Sequence, residues 1–390
     1  MNKLECKELA IGYDISLISG TLMHCCKFKN ILIKQDEYDQ LRHRYFSQNK
    51  TTIKVKSDLA NGIRNEHCKD CWDNEDAGLL SWRQLHNVDL TNQKVLNLNI
   101  QPSSLCNHEC MYCNHKLSST IARYGRWIDP FNADIFTHNM EGNAVKIDYA
   151  DIVKFVQLDE HDDKTELMIG LTGGEPFILK DFNAHVKDII EAFCSKKQGN
   201  KVELSISTNS NVNIEHLNNY YEMIKKLKEK YNVMVRTTIS IENLEERAEY
   251  VRGGLVWSNF LDNFHCHRQN SDKLDIRMTF NAFSVVNVTD FVKFFSQYKP
   301  NFIYNYTYQK FFRVSILDKS FAKHFVDLEE YITKTELHSQ VPWFRDLKSQ
   351  IVDDRPNAKI FKTAITNIDS IRNTNWRSVF PEYISWFDNI

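Results

Sequence analysis

The sequence predicts an α/β chain built on an open, partial (β/α)6 barrel over residues 93–320, with a small N-terminal cysteine-rich module at 1–92 and a helical C-terminal extension at 321–390. Three observations carry this reading. Short apolar or alternating runs recur at Val95–Ile100, Glu166–Leu171, Val202–Ser207, Val233–Ile241, Leu274–Phe280 and Phe302–Tyr306. Stretches of helical periodicity separate most of them, and strands that alternate with helices argue for βαβ units and a parallel sheet. Polar residues gather just past the ends of these runs, on the face where parallel α/β barrels build their sites. Six units are too few to close an eight-stranded barrel, hence the open form.

The elements follow in order. Residues 1–92 read as irregular, with a strand at Ile31–Lys34. The compact run Trp72, Glu75, Gly78, Ser81, Arg83 has the spacing of one helical face and reads as a helix that seats the module. Asp181–Ser195 carries Phe182, Val186, Ile189, Ile190 and Phe193 at helical spacing, and Asn213–Lys230 carries Leu217, Tyr220, Ile224 and Leu227. Thr289–Ser296 opens on a Thr in the N-cap position. The acidic run Asp159–Asp163 reads as a solvated loop. Val326–Thr335 reads as helix, and the aromatic tail around it as packing that closes the open barrel.

Composition narrows the class. The 390 residues are 42% hydrophobic and 26% charged, as in globular proteins. A net charge of −2 gives no electrostatic footprint for nucleic acid. No run of about 20 apolar residues is present, so no membrane span is expected. Met1–Gly12 carries Glu5 and Glu8 and lacks the apolar core of a signal peptide, so the expected location is cytoplasmic. In a reducing compartment, ten cysteines, eight of them in the first 113 residues, are metal ligands or catalytic groups more often than disulfides. Cys194 sits on the apolar side of a helix and reads as core, while Cys266, in His265-Cys266-His267, reads as a surface or core cysteine, with a catalytic thiol or metal ligand as the alternative.

The central signal is Cys106-Asn-His-Glu-Cys110-Met-Tyr-Cys113, directly after the Val95–Ile100 strand. Such a loop can fold around one cubane and supply three thiolates. Three ligands leave one iron open to the amino and carboxylate groups of a substrate or cofactor. A zinc ion on the same thiolates, with His108 or His115 as the fourth ligand, satisfies this segment as well. The next strand ends in Leu171-Thr172-Gly173-Gly174-Glu175-Pro176. Two glycines at a strand end let the backbone approach a ligand closely, and Glu175 can accept hydrogen bonds from an amine.

The three-cysteine loop with Tyr112 before its last cysteine, followed by this Gly-Gly-Glu-Pro box, resembles the radical S-adenosylmethionine (SAM) superfamily. Thr208-Asn209-Ser210 after the third strand resembles the family's turn beside the SAM ribose, with Ser210 where glycine is usual. Ser240-Ile241-Glu242 and then Arg252-Gly253 resemble the Ser-x-Asp segment and following Arg of many members, with Glu242 for the Asp. Asn281 resembles a family position near the substrate. The resemblance covers about residues 93–310. It implies a partial TIM-type barrel, a [4Fe–4S] cluster with an open iron on Cys106, Cys110 and Cys113, and SAM as cofactor. It implies that Gly173, Gly174 and Glu175 hold the methionyl amine, that Ser207, Thr208 and Asn209 face the ribose, and that Tyr112 lies near the adenine. Ser240 and Arg252 become contacts to the ribose or carboxylate. The implied reaction is reductive cleavage of SAM to methionine and a 5′-deoxyadenosyl radical, which abstracts hydrogen from a substrate. No residue of the chain is singled out as the catalytic acid, base or nucleophile.

A second cysteine set precedes the barrel. Cys6-x13-Gly20-x4-Cys25 and Cys68-x2-Cys71 resemble the pattern of a Twitch module, the shortened relative of the SPASM domain, although such modules usually follow the barrel. The resemblance implies a second, auxiliary [4Fe–4S] cluster closed by Cys6, Cys25, Cys68 and Cys71. Structural zinc fits the same four thiols. Two substrate classes then stand side by side. The first is a peptide or protein side chain, oxidised or crosslinked, and it is the reading preferred. The second is a small metabolite, sugar or nucleotide. A non-enzymatic metal-binding module is the remote third, since the Gly-Gly-Glu-Pro box serves no structural zinc site. An electron donor such as flavodoxin or ferredoxin is the implied partner.

Overall fold

A computed structural model of the chain describes residues 4, 6–78, 80–85, 94–114, 117–123, 147–158, 165–196, 199–337 and 340–390. Asp159–Asp163 and His115 lie outside the described residues. The chain divides into two compact units, one of Met1–Ser104, Thr137–Ser207 and Glu215–Arg236, the other of Leu105–Phe136, Thr208–Ile214 and Thr237–Ile390.

The strands are β1 (Gly12–Ser16), β2 (Thr21–Met23), β3 (Ile31–Leu32), β4 (Lys94–Gln101), β5 (Glu109–Cys110), β6 (Thr165–Leu171), β7 (Val202–Thr208), β8 (Val233–Ser240), β9 (Arg252–Gly253), β10 (Lys273–Phe280) and β11 (Asn301–Tyr306). Each of the six expected runs is a strand, displaced by one residue at most at either end. The fold is mixed α/β with a large, mostly parallel sheet.

In the first unit the sheet order is β7-β6-β4-β1-β2-β3. The pairs β1–β4, β4–β6 and β6–β7 are parallel, while β1–β2 and β2–β3 are antiparallel. β4 shows why it forms: Leu96, Leu98 and Ile100 are buried on one face while Asn97, Asn99 and Gln101 occupy the other, the period-two pattern of a strand. The helix Phe182–Lys196 buries Val186, Ile189, Ile190 and Phe193, the apolar stripe read from its spacing.

Residues before 92 are not irregular. β1 pairs with β4 from Gly12↔Asn97 to Ser16↔Gln101, and the helices Gln35–Leu41 and Lys50–Ala60 follow it. The second of these is capped by Asn49, whose side chain accepts from the Thr52 N–H. The run from Trp72 to Arg83 is two elements rather than one helix. The helix Lys69–Asp76 ends before Gly78, and a short helix, Trp82–Leu85, begins after Ser81. Glu75 then accepts from both Ser81 Oγ and the Arg83 guanidinium, a bond pattern that a turn permits and a straight helix does not.

In the second unit β10 and β11 pair in parallel from Asp275↔Asn301 to Phe280↔Tyr306. Its core is aromatic and takes in the tail: Phe283 stacks on Phe380 with centroids 4.3 Å apart, and Tyr383 donates its hydroxyl to the Ala282 carbonyl. The helix His324–Thr333 lies where a tail helix was expected. Thr289 is inside the first turn of Val288–Ser296, whose N-cap position is Asn287. Among the described residues no helix is long and apolar enough to cross a membrane.

Candidate functional site

The loop that carries Cys106, Cys110 and Cys113 belongs to the second unit and is braced by backbone bonds. Glu109 and Cys110 form β5, which pairs antiparallel with β9 in the register Glu109↔Gly253 and Cys110↔Arg252. The Met111 N–H donates to the Val251 carbonyl at 3.0 Å, and its side chain is fully buried in the aromatic core. The Cys113 N–H closes a turn on the Cys110 carbonyl at 2.9 Å. Ser119 Oγ accepts from the Cys106 N–H at 3.1 Å, and Ser118 Oγ donates to the His108 carbonyl at 3.1 Å.

Burial pushes the Cys110 thiol up to about 12 and raises that of Cys113 as well; Arg252 opposes both shifts. Thiols held in this state ionise when a bound cation compensates them, as metal ligation does. His108, between the first two cysteines, is buried, and among the described residues neither ring nitrogen has a hydrogen-bond partner. Buried polar groups are seldom left so, and an orphaned imidazole in a loop that carries three cysteines fits a site that receives a group with acceptor sulfurs.

Tyr112 turns away from the loop to a buried ion pair. Its hydroxyl donates to both Glu242 carboxylate oxygens at 3.0 Å. Arg252 holds the same carboxylate through Nε at 3.1 Å and Nη2 at 2.6 Å. Burial opposes both charges, and each is held by the other. Asn209 donates to Asn107 Oδ1 at 2.8 Å, and Asn107 to the Asn211 carbonyl at 2.6 Å, so the turn after β7 grips the loop. Thr208 Oγ1 accepts from the Ser210 N–H at 2.9 Å. Ser210 has φ 58°, the left-handed conformation that favours glycine, which explains the residue type usual there. Ser240 ends β8 and is half-buried. The Asn281 side chain caps the turn Ala282–Ser284 in a capping box, so its amide serves the backbone.

Sequence reasoning missed Asn243 and Arg372. Asn243, three residues past the end of β8, is wholly buried, and among the described residues its amide has no partner. Arg372, from the tail helix Arg355–Arg372, pairs with Glu109 at 3.4 Å and donates to the Tyr250 carbonyl at 3.1 Å. The orphaned Asn243 amide had a faint signal, an uncharged polar residue past a strand end; Arg372 had none.

The first unit carries the other motif. Gly173 has φ 121°, and a Cβ there would lie 2.7 Å from the Ser103 carbonyl oxygen, so only glycine fits. The Gly174 N–H donates to that carbonyl at 2.9 Å. Glu175 is buried and caps the turn Pro176–Ile178, its Oε1 accepting from the Phe177 N–H at 3.2 Å. Ser207 lies one residue before the end of β7.

Cys6, Cys25, Cys68 and Cys71 also lie in the first unit and line one cavity, together with His24, Phe28 and Arg83. Burial pushes the Cys25 and Cys68 thiols up to about 12, with a further rise from the neighbouring thiols of Cys6 and Cys71. Cys26 is exposed and outside this lining. Among the described residues no group of three or more His, Cys, Asp or Glu side chains is arranged to hold a single metal ion.

The first unit thus offers a glycine-lined strand end and the second a braced three-thiol loop, on a mostly parallel α/β sheet. Residues 100–284 match the family model described as the Radical SAM superfamily. The chain therefore carries a radical SAM domain and is an enzyme of that kind, generating a 5′-deoxyadenosyl radical with a [4Fe–4S] cluster, SAM, a reductant and a substrate. No curated protein matches the chain. The matched span holds Cys106, Cys110, Cys113 and the Gly-Gly-Glu-Pro box and excludes the four N-terminal cysteines.

Proposed function

We propose that the enzyme acts on a peptide or protein side chain, which it oxidises or crosslinks, and that two clusters serve it. Cys106, Cys110 and Cys113 hold the first, and the buried, orphaned imidazole of His108 in the same loop is what supports this assignment. Bound there, the cluster supplies the electron for reductive cleavage of SAM to methionine and the 5′-deoxyadenosyl radical. Gly173 and Gly174 let the backbone close on the methionyl amine, and the Glu175 carboxylate accepts hydrogen bonds from it. Ser207, Thr208 and Asn209 face the ribose, Ser240 lies at the ribose or carboxylate, and Tyr112 flanks the adenine.

Cys6, Cys25, Cys68 and Cys71 hold the second cluster as a Twitch-like module, 1–92, ahead of a partial barrel, 93–320, and an extension, 321–390. Their shared cavity carries this part of the reading. Four thiolates leave no open iron, so this cluster passes electrons and does not bind SAM. Hydrogen abstraction from a side chain leaves an electron to dispose of, and an auxiliary acceptor favours oxidation or crosslinking. A flavodoxin- or ferredoxin-type protein of the cytoplasm supplies the reducing electron.

Metal analysis tests the proposal. Protein prepared without oxygen is expected to carry about eight irons, two [4Fe–4S] clusters. The Cys68→Ala/Cys71→Ala variant is expected to lose about half of that iron and still form 5′-deoxyadenosine from SAM and dithionite. Zinc at the N-terminal thiols, with iron content unchanged in the variant, overturns the auxiliary cluster.

A further inference from the structure

A buried guanidinium is built against the Cys110 thiol of the 106–113 loop. Arg252 is 3% exposed, and its Nη1 lies 3.7 Å from Cys110 Sγ. Two other guanidinium nitrogens are held by Glu242, and the guanidinium carbon sits 5.7 Å from the centre of the Tyr112 ring. The backbone sets this geometry. Cys110 and Arg252 are register partners in the β5–β9 ladder, and partners directly opposite in an antiparallel pair present their side chains on the same face. Tyr112, two residues after Cys110, closes the arrangement by donating to Glu242.

We infer that Arg252 is a positioning residue for the cluster, donating to the Cys110 thiolate and making the cluster easier to reduce, with Glu242 and Tyr112 fixing it in place. The inference rests on the reading of Cys110 as a cluster ligand. Reduction adds one negative charge to the cluster. A guanidinium, charged at every working pH, stabilises that charge far more in a dry site than in water. Hydrogen bonds to the sulfurs and nearby charge are among the features that set iron–sulfur potentials. Glu242 opposes the effect, so the potential reflects a balance of the two. The role differs from the one the resemblance suggests for Arg252, a contact to SAM, and the two can be separated.

The test uses full-length protein reconstituted anaerobically with iron and sulfide. The midpoint potential is followed by electron paramagnetic resonance, on the signal that added SAM perturbs. Arg252→Gln is expected to lower the potential with iron content retained, and Glu242→Gln to raise it. Arg252→Lys, which keeps the charge but cannot span both Glu242 and Cys110, is expected to lower it less, and it carries the test alone if Arg252→Gln does not fold. The inference is overturned if the potentials stay at the wild-type value, or if Arg252→Gln and Glu242→Gln shift them in the same direction, the mark of a merely loosened loop. It is also overturned if Arg252→Gln weakens SAM binding while the SAM-free potential is unmoved. A wild-type protein with iron but no SAM-sensitive signal overturns the cluster assignment beneath it.

Discussion

The two thiol sets solve one problem with different materials. In the first unit the cysteines come from three places, ahead of β1, after β2 and at the helix Lys69–Asp76, and only the folded chain brings them to one cavity. In the second unit all three lie on one loop of eight residues, held by a two-residue ladder and a buried methionine. Yet each set has an arginine locked by a carboxylate over an aromatic ring. Arg83 pairs with Glu75 and lies 5.1 Å from the Trp72 ring; Arg252 pairs with Glu242 and lies 5.7 Å from the Tyr112 ring. The first trio spans Trp72 to Arg83, whereas the second joins residues 112, 242 and 252. The second pair is also the drier, with side chains 4% and 0% exposed against 13% and 10%. Charge beside buried thiols can thus be assembled locally or across a fold, and the long-range version is the more deeply buried.

The sharpest break of this comparison removes one set whole. Cys106→Ala/Cys110→Ala/Cys113→Ala is expected to abolish 5′-deoxyadenosine formation and to leave about half the iron, on the N-terminal thiols. Residual SAM cleavage in this variant would place the chemistry at the other set.

The second unit's core gives the next largest effect. His267 is buried, and desolvation holds its ring neutral, with a pKa down to about 3 from the usual 6.5. Between those values the unfolded chain binds a proton that the folded chain does not. Stability therefore rises with pH across this window and is lost as pH falls, by roughly 5 kcal/mol over its full width. Urea denaturation at pH 7 and pH 4.5 is expected to show the loss, and His267→Gln to reduce it, with the buried His24 still contributing in the same direction. An equal slope in the variant would assign the acid sensitivity elsewhere.

Smaller effects sharpen the picture. Glu175→Ala is expected to weaken SAM binding by ~1.5–3 kcal/mol, the range for a hydrogen bond to a charged group, while Glu175→Gln keeps the turn cap and separates folding from binding. Unchanged affinity in the alanine variant excludes the Gly-Gly-Glu-Pro box from the SAM site. Smallest is Gly254→Ala. Gly254 has φ 89°, and a Cβ would lie 2.7 Å from the Asn107 carbonyl oxygen. A cost of about 1–3 kcal/mol is expected in thermal unfolding, with some loss of iron from the loop beside it.

What could be read from the sequence follows the range of the interactions. The six longer strands between residues 94 and 306 were legible because buried parallel strands are apolar runs, and the motifs because they sit within a few residues of strand ends, whereas the two-residue strands β5 and β9 were not. β1 was not, since Gly12–Ser16 has only Tyr13 and Ile15 as apolar residues and finds its partner at 97–101. The single helix expected over Trp72–Arg83 failed because its spacing matched a helical face while Gly78 and Ser81 built a turn. Arg252, Tyr112 and Glu242 were each legible as residues of interest, but their contacts were not. Nothing in the sequence joins Tyr112 to Glu242 across 130 positions.

Met111 ties the three-thiol loop to the core of its unit. Its side chain is a plug in the aromatic core and its N–H is fixed to Val251, so the span between Cys110 and Cys113 is shaped by the protein's own packing. In many small metal sites, binding the metal is the folding event. Here one side chain of the loop also belongs to the aromatic core, so a substitution that loosens that core reaches the thiols through Met111.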